Sequence, residues 1–332
     1  MGFWLTLALR AVGVVLYFTG LYRIVLWLGR RTPKIVAYHA CQPLEDEFVA
    51  GLGVNTPPAA LAAQLDWVAR HYRVIPLVRL VDGPVPERAL AITFDDGYRS
   101  VYEHAFPLLR ARGMPATLFL VPAVVGNEAL IWVNELNWML RERPDVAVPI
   151  AARRLLGRAD ARPARILTGA VFGYDAGALA ETLAETRAAL GVDPAELARA
   201  GRPYVTWDQI EEMAGHAVTV GNHTATHPNL ARLGTAAQQW EITAAHSDLA
   251  GRAGFVPAVA WPFGLVGSTV QRAAAEAGYR MLCRLNGSNR PLDPARLARV
   301  PVVTTSTAAF FADLEVVTPV KTWLKRLAGR GD

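Results

Sequence analysis

From Pro33 onward the chain alternates short β-rich runs with stretches of helical period, and that alternation admits few folds. The runs are KIVAYHA (34–40), VIPL (74–77), ALAITFDD (89–96), ATLFLVP (116–122), AVTVGNHT (217–224), PAVAWPFG (257–264), RMLCRL (280–285) and RVPVV (299–303). Between them lie PPAALAAQLDWVARHY, YEHAFPLLRARG and STVQRAAAEAG, whose apolar residues recur every three or four positions, as on an amphipathic helix. Strands alternating with helices predict a parallel sheet covered by those helices. Seven or eight such strands predict a closed or nearly closed α/β barrel, with its functional residues at the C-terminal ends of the strands. One region breaks the rhythm. Residues 127 to about 205 carry Ala/Arg/Leu-rich helical stretches without a convincing strand, and the α/β pattern resumes afterwards. This predicts a helical insertion between two strands of one domain. Thr206, with Gln209 three residues on, predicts a capping box that opens the next helix, WDQIEEMAG.

Two short stretches carry the chemistry. TFDDGY (93–98) sets Asp95 and Asp96 side by side where an apolar run meets a glycine, and GNHTATHPNL sets His223 and His227 four residues apart. Either alone has an ordinary reading: Asp and Gly punctuate strand ends, and paired histidines at this spacing are often incidental. The run before His223 and Pro228 after His227 argue for a strand entering a loop rather than a helix. Together, two histidines and one carboxylate make a three-ligand site with open positions, typical of catalytic zinc and related metals. One aspartate then binds the metal, and its neighbour acts as general base toward a water whose pKa the metal lowers to about 7. The remaining histidines His71, His104, His216 and His246 have no such partner in the sequence.

In this order, TFDDGY, HTATH and WPFG resemble the motifs of the polysaccharide deacetylase family, the chitooligosaccharide deacetylase homology domain, over roughly residues 33 to 303. The resemblance implies a distorted (β/α)7-type barrel and metal-dependent N-deacetylation of a sugar. It implies that Asp95 is the catalytic base, that Asp96, His223 and His227 bind a divalent metal (zinc by preference), and that the Phe263 N–H helps stabilise the oxyanion. Two positions depart from the pattern. Ala260 stands where many members have an arginine that orients the base, and no histidine follows Cys283 to act as general acid. The branch acting on exported poly-N-acetylglucosamine shows similar losses and carries a Tyr-His on its first strand, which here is Tyr38-His39. His39 is therefore the expected proton donor to the leaving amine. The expected substrate is an N-acetylated amino sugar of a cell-surface polysaccharide or exopolysaccharide or its precursor. The alternatives are a deformylase or deacetylase of an undecaprenyl-linked sugar, and a non-catalytic carbohydrate-binding component of an export complex, which the intact Asp95, Asp96, His223 and His227 set argues against and the missing arginine keeps open. Trp132, Trp138 and Trp207 are aromatic candidates for a sugar cleft, and core packing suits each equally.

The first 31 residues belong to a different regime. Between Arg10 and Arg23 lie 12 uncharged residues, about 18 Å of helix, short of the roughly 20 residues a span needs. If both arginines snorkel, residues 3 to 28 reach across a bilayer; otherwise the segment lies in the headgroup layer. Either way residues 1–31 are expected to attach residues 32–332 to the inner membrane. The excess of Arg and Lys after the segment biases the catalytic domain to the cytoplasmic side. A formal charge of +5, without a basic stripe interleaved with aromatics, excludes nucleic-acid binding as a reading. Cys41 and Cys283 have no metal-like spacing.

Overall fold

A computed structural model describes residues 3–158, 160–173, 176–265 and 267–328. Eight parallel strands form its centre: β1 (Lys34–Tyr38), β2 (Arg73–Val74), β3 (Ala89–Phe94), β4 (Ala116–Leu120), β5 (Val218–Asn222), β6 (Phe255–Ala260), β7 (Met281–Leu285) and β8 (Leu297–Pro301). Their order is β1-β8-β7-β6-β5-β4-β3, and β1 pairs with β3 from Lys34↔Leu90 to Tyr38↔Phe94. Seven strands therefore close a ring. The two-residue β2 fills the N-terminal half of the β3 edge, at Ala89 and Leu90, while β4 takes its C-terminal end at Thr93 and Phe94. The expected (β/α)7-type barrel is what these residues build.

The strand expected at VIPL stops at Val74, because Pro76 has no N–H to continue a ladder, and Leu77–Leu80 turn as a short 3₁₀ helix. The insertion is helical as expected: Trp132–Glu142, Pro144–Leu156, Pro163–Phe172, Ala176–Leu190 and Pro194–Gly201 lie between β4 and β5. It has its own apolar core, built on Leu136, Leu140, Leu155 and Ile166. The capping box forms, with Thr206 accepting from the Gln209 N–H and the Gln209 side chain accepting from the Thr206 N–H.

Inside the ring several side chains are small: Ala91, Ala258, Ala260 and Cys283 are fully buried. Gly221 belongs to the same economy, since a Cβ there would collide with the Phe119 ring. The space so left is filled by Phe119 and by the stem of Arg299 from β8, whose guanidinium carbon lies 5.1 Å from the Phe119 ring centre. An arginine at 0% exposure inside a barrel requires a partner, and the partner defines the site.

The N-terminal segment is two helices, Phe3–Phe18 and Tyr22–Gly29, bent by 108°. No single helix among the described residues is long and apolar enough to cross a membrane. Arg10 does not snorkel. It makes a two-pronged ion pair with Asp313, Nε–Oδ1 2.9 Å and Nη2–Oδ2 2.8 Å, in a π-helical turn near the C-terminus. Of the two arginines that flank the uncharged stretch, Arg10 is thus turned toward an acid 303 positions away in sequence.

Candidate active site

The two adjacent carboxylates share one cavity because the backbone changes hand between them. The Asp95 N–H still donates to the Tyr38 carbonyl at 2.9 Å, continuing the β3 ladder by one residue. Asp96 is then left-handed, with φ +71°, and Gly97 follows at +76°. A plain extended chain would send the two side chains to opposite faces; the turn sends both inward. Gly97 is needed twice over, for its φ and because a Cβ would stand 2.9 Å from the Leu120 side chain.

Strand β5 delivers the histidines. The His223 N–H donates to the Leu120 carbonyl at 2.8 Å, and the chain then leaves the barrel through Thr224 (φ +69°) and His227 (φ +63°). Left-handed non-glycine residues cost of order 1–3 kcal/mol each and persist only where their surroundings hold them. Here the Thr224 hydroxyl accepts from the His227 N–H at 3.1 Å, and the Glu241 carboxylate accepts from the Thr226 N–H and hydroxyl at 2.9 and 2.6 Å. The Trp132 indole donates to the His227 carbonyl at 2.9 Å. The insertion thus ties down the loop that carries the second imidazole.

Asp96, His223 and His227 are all buried and offer ligand atoms within 4.8 Å of one another. Asp96 Oδ1 lies 3.4 Å from His223 Nε2 and 3.3 Å from His227 Nε2. Ligand atoms bonded to one tetrahedral zinc at about 2.0–2.1 Å sit about 3.4 Å apart, so the three residues fit such an ion without rearrangement. Two further observations favour this. Asp96 Oδ1 is buried with no hydrogen-bond partner, a costly state unless a cation meets it. His223 places Nδ1 2.8 Å from the Ala260 carbonyl, the outer contact that presents the Nε2 lone pair inward. His227 Nδ1 is buried without a partner, so the protein leaves that ring's tautomer unconstrained. Burial pushes the Asp96 carboxyl up, but His227 and His223 outweigh it, holding the group well below the usual carboxylate range. Burial pushes His227 below the ordinary imidazole value; in His223, burial acts the same way but Asp95 and Asp96 overcome it, and the value rises.

Asp95 is held differently. The Arg299 fork meets it with Nη1–Oδ1 2.6 Å and Nη2–Oδ2 2.9 Å, and Nη1 also lies 3.2 Å from the Thr93 hydroxyl. Burial raises the Asp95 carboxyl, but Arg299 first, then His223 and His39, carry it below the usual range, so it stays ionised. Oδ2 also faces His39 Nε2 at 3.8 Å and His223 Nε2 at 3.9 Å. The arginine that Ala260 cannot supply thus arrives from another strand. Sequence reasoning missed it; the available signal was a lone cation inside the apolar run LARVPVV.

These groups open on a cavity of 280 Å³ whose remaining walls are apolar but for Tyr98 and Thr168. Val133 and four residues of helix Pro163–Phe172 (Leu167, Thr168, Val171 and Phe172) close it from the insertion side, and Leu52, Val54, Trp261 and Leu285 complete it. Phe263 lines it too, with φ +58° and its ring centre 4.9 Å from that of His227. All six residues expected from the sequence (His39, Asp95, Asp96, His223, His227 and Phe263) line this one cavity. Of the three tryptophans, Trp132 reaches the site as a support, Trp138 packs in the core, and Trp207 lies under Arg252, 4.1 Å from guanidinium carbon to ring centre.

The comparisons with known proteins agree with this geometry. Streptococcus pyogenes deacetylase PplD, solved in complex with acetate, superposes with a TM-score of 0.56 at 16% identity, covering 86% of this chain and 98% of that one. IcaB from Ammonifex degensii does so at 0.54 and 18% identity, covering 85% and 97%; both likenesses show the fold. Escherichia coli (strain K12) poly-beta-1,6-N-acetyl-D-glucosamine N-deacetylase is 33% identical over 97 residues, 27% of this chain and 13% of that protein. Residues 82–282, well over half of the chain, match the polysaccharide deacetylase family as a whole. That match spans both carboxylates, both histidines and the WPFG turn, and this chain belongs to the polysaccharide deacetylase family.

Proposed function

We propose that this protein is a metal-dependent N-deacetylase of a polysaccharide of the poly-β-1,6-N-acetylglucosamine type. One observation carries the reading: a guanidinium-clamped carboxylate and a carboxylate–imidazole triad converge in a single 280 Å³ cavity. Asp96, His223 and His227 would hold a divalent cation, zinc by the donor set, which would supply polarisation of the acyl carbonyl and acidification of water. Asp95 accepts the proton of the attacking water. Arg299 holds that carboxylate in one orientation and keeps it charged until it is used. Expulsion of the amine requires a proton, and His39, 3.8 Å from Asp95 Oδ2 and open to the same cavity, is placed to give it. The Phe263 N–H is the donor assigned to the developing oxyanion.

The substrate class rests on the E. coli relative's name and on the first-strand Tyr38-His39 pair. The non-catalytic reading drew its force from the missing base-orienting arginine, and Arg299 removes that ground. The test is acetate release from β-1,6-linked N-acetylglucosamine oligomers by the zinc-loaded protein, with β-1,4-linked oligomers as comparison. We expect release from the β-1,6 series that a chelator stops. No acetate from any N-acetylated glycan by the loaded protein would overturn the assignment.

A further inference from the structure

The helix Phe3–Phe18 is built inside out for a surface helix. Its only charged residue, Arg10, points at the protein and pairs with Asp313. Its glycine, Gly13, is buried against helix Thr307–Ala312, where a Cβ would collide with Ala312. Its outward stripe, Phe3, Trp4, Leu7, Ala8, Ala11, Val12, Val15 and Phe18, is exposed and carries no charge. Leu21 before the next helix, and Ile24, Trp27 and Leu28 on it, add to this surface. Ten of the sixteen large apolar side chains exposed among the described residues fall within residues 3–28. So contiguous an apolar surface marks an interaction site rather than ordinary scatter. A helix apolar all round belongs in a nonpolar environment, and helix Thr307–Ala312 with the turn Asp313–Val317 covers only one side of this one.

We propose that this face lies in the interfacial layer of an anionic lipid membrane, with both helices parallel to its plane and the barrel outside. Charge identifies the occupant. The first acidic residue in the sequence is Glu45, whereas Arg10, Arg23, Arg30, Arg31 and Lys34 precede it. Arg10 and Lys34 are paired inward with Asp313 and Glu315. The other three lie on or just after the second helix, Arg30 stacked on Trp27 at 4.5 Å and both Arg30 and Arg31 within 3.3 Å of Glu87. An apolar stripe bearing Trp and Phe beside an edge where Arg23, Arg30 and Arg31 outnumber the one acid that meets them, Glu87, suits a bilayer surface of negative charge. A span would have to straighten the 108° bend and part Arg10 from Asp313.

The experiment is flotation of the full chain with phosphatidylcholine vesicles with and without phosphatidylglycerol, comparing wild type with Trp4→Ser/Phe18→Ser. These side chains are 79% and 77% exposed, so the fold does not need them; unchanged acetate release from a soluble N-acetyl sugar checks this. Wild type should float, more so with phosphatidylglycerol, and the double variant's partitioning should fall about tenfold or more, as expected for withdrawing two aromatic side chains from an apolar phase. Equal flotation of wild type and variant would overturn the proposal. So would a lipid-free dimer that the same substitutions dissolve, which makes the occupant a second copy. Resistance of the native membrane-bound chain to alkaline carbonate extraction would make it a span.

Discussion

The floor and the roof of the catalytic cavity are made on different principles. The floor is polar, nearly dry and backbone-specified: Asp95, Asp96, His223 and His227 are each at most 5% exposed, and Asp96, Thr224, His227 and Phe263 are held left-handed. The roof is largely apolar and side-chain-specified, with Leu167, Val171 and Phe172 presented by an ordinary helix that rests on the insertion's own core. Strain and buried charge persist only where hydrogen bonds enforce them, so the floor tolerates little and leaves a mark in local sequence. The roof needs only apolar volume at the right place. Changes below should therefore alter chemistry, and changes above should alter substrate binding.

The largest expected effect is loss of a ligand. His223→Ala or His227→Ala removes one of three protein donors, and metal content and activity should fall together; elemental analysis showing one tightly held metal per chain in both would break the floor's assignment. Next is His39→Ala, expected to lower kcat on an N-acetyl sugar by about 10²–10⁴-fold with metal retained. An activated aryl acetate, whose leaving group needs no proton, should suffer much less, and equal losses on the two substrates would make His39 a structural residue. Arg299→Met strands the buried Asp95 charge. It should cost about 3–5 kcal/mol of stability and slow turnover, with Arg299→Lys intermediate because an ammonium cannot reproduce the fork. A stable, fully active Arg299→Met would show that the base needs no clamp. The smallest effect belongs to the roof. Phe172→Ser should raise KM by up to about tenfold with kcat nearly unchanged, as for a contact made equally in ground and transition states; a kcat loss of floor size would erase the distinction.

The same contrast explains what could be read in advance. The strands, the insertion, the capping box and both chemical motifs were legible because each is written in consecutive residues. Arg299 was not. It contacts Asp95 across 204 positions, and in RLARVPVV it reads as the solvated face of a strand, since nothing local says that Ala91, Ala258 and Ala260 leave it room inside. The partner of Arg10 was hidden likewise, since Asp313 lies at the other end of the sequence. The strand at VIPL failed for a local reason that was available, the proline at position 76. The place of helix Pro163–Phe172 over the cavity had no local signal, because an amphipathic helix shows which side is buried but not against what.

The central claim is that two neighbouring carboxylates divide the labour, Asp96 holding the metal and Asp95 moving the proton. Metal stoichiometry measured alongside acetate release for Asp95→Asn and Asp96→Asn tests it most directly. The account predicts that Asp95→Asn keeps the metal and loses turnover, whereas Asp96→Asn loses both. Full metal in Asp96→Asn together with an emptied Asp95→Asn would contradict it.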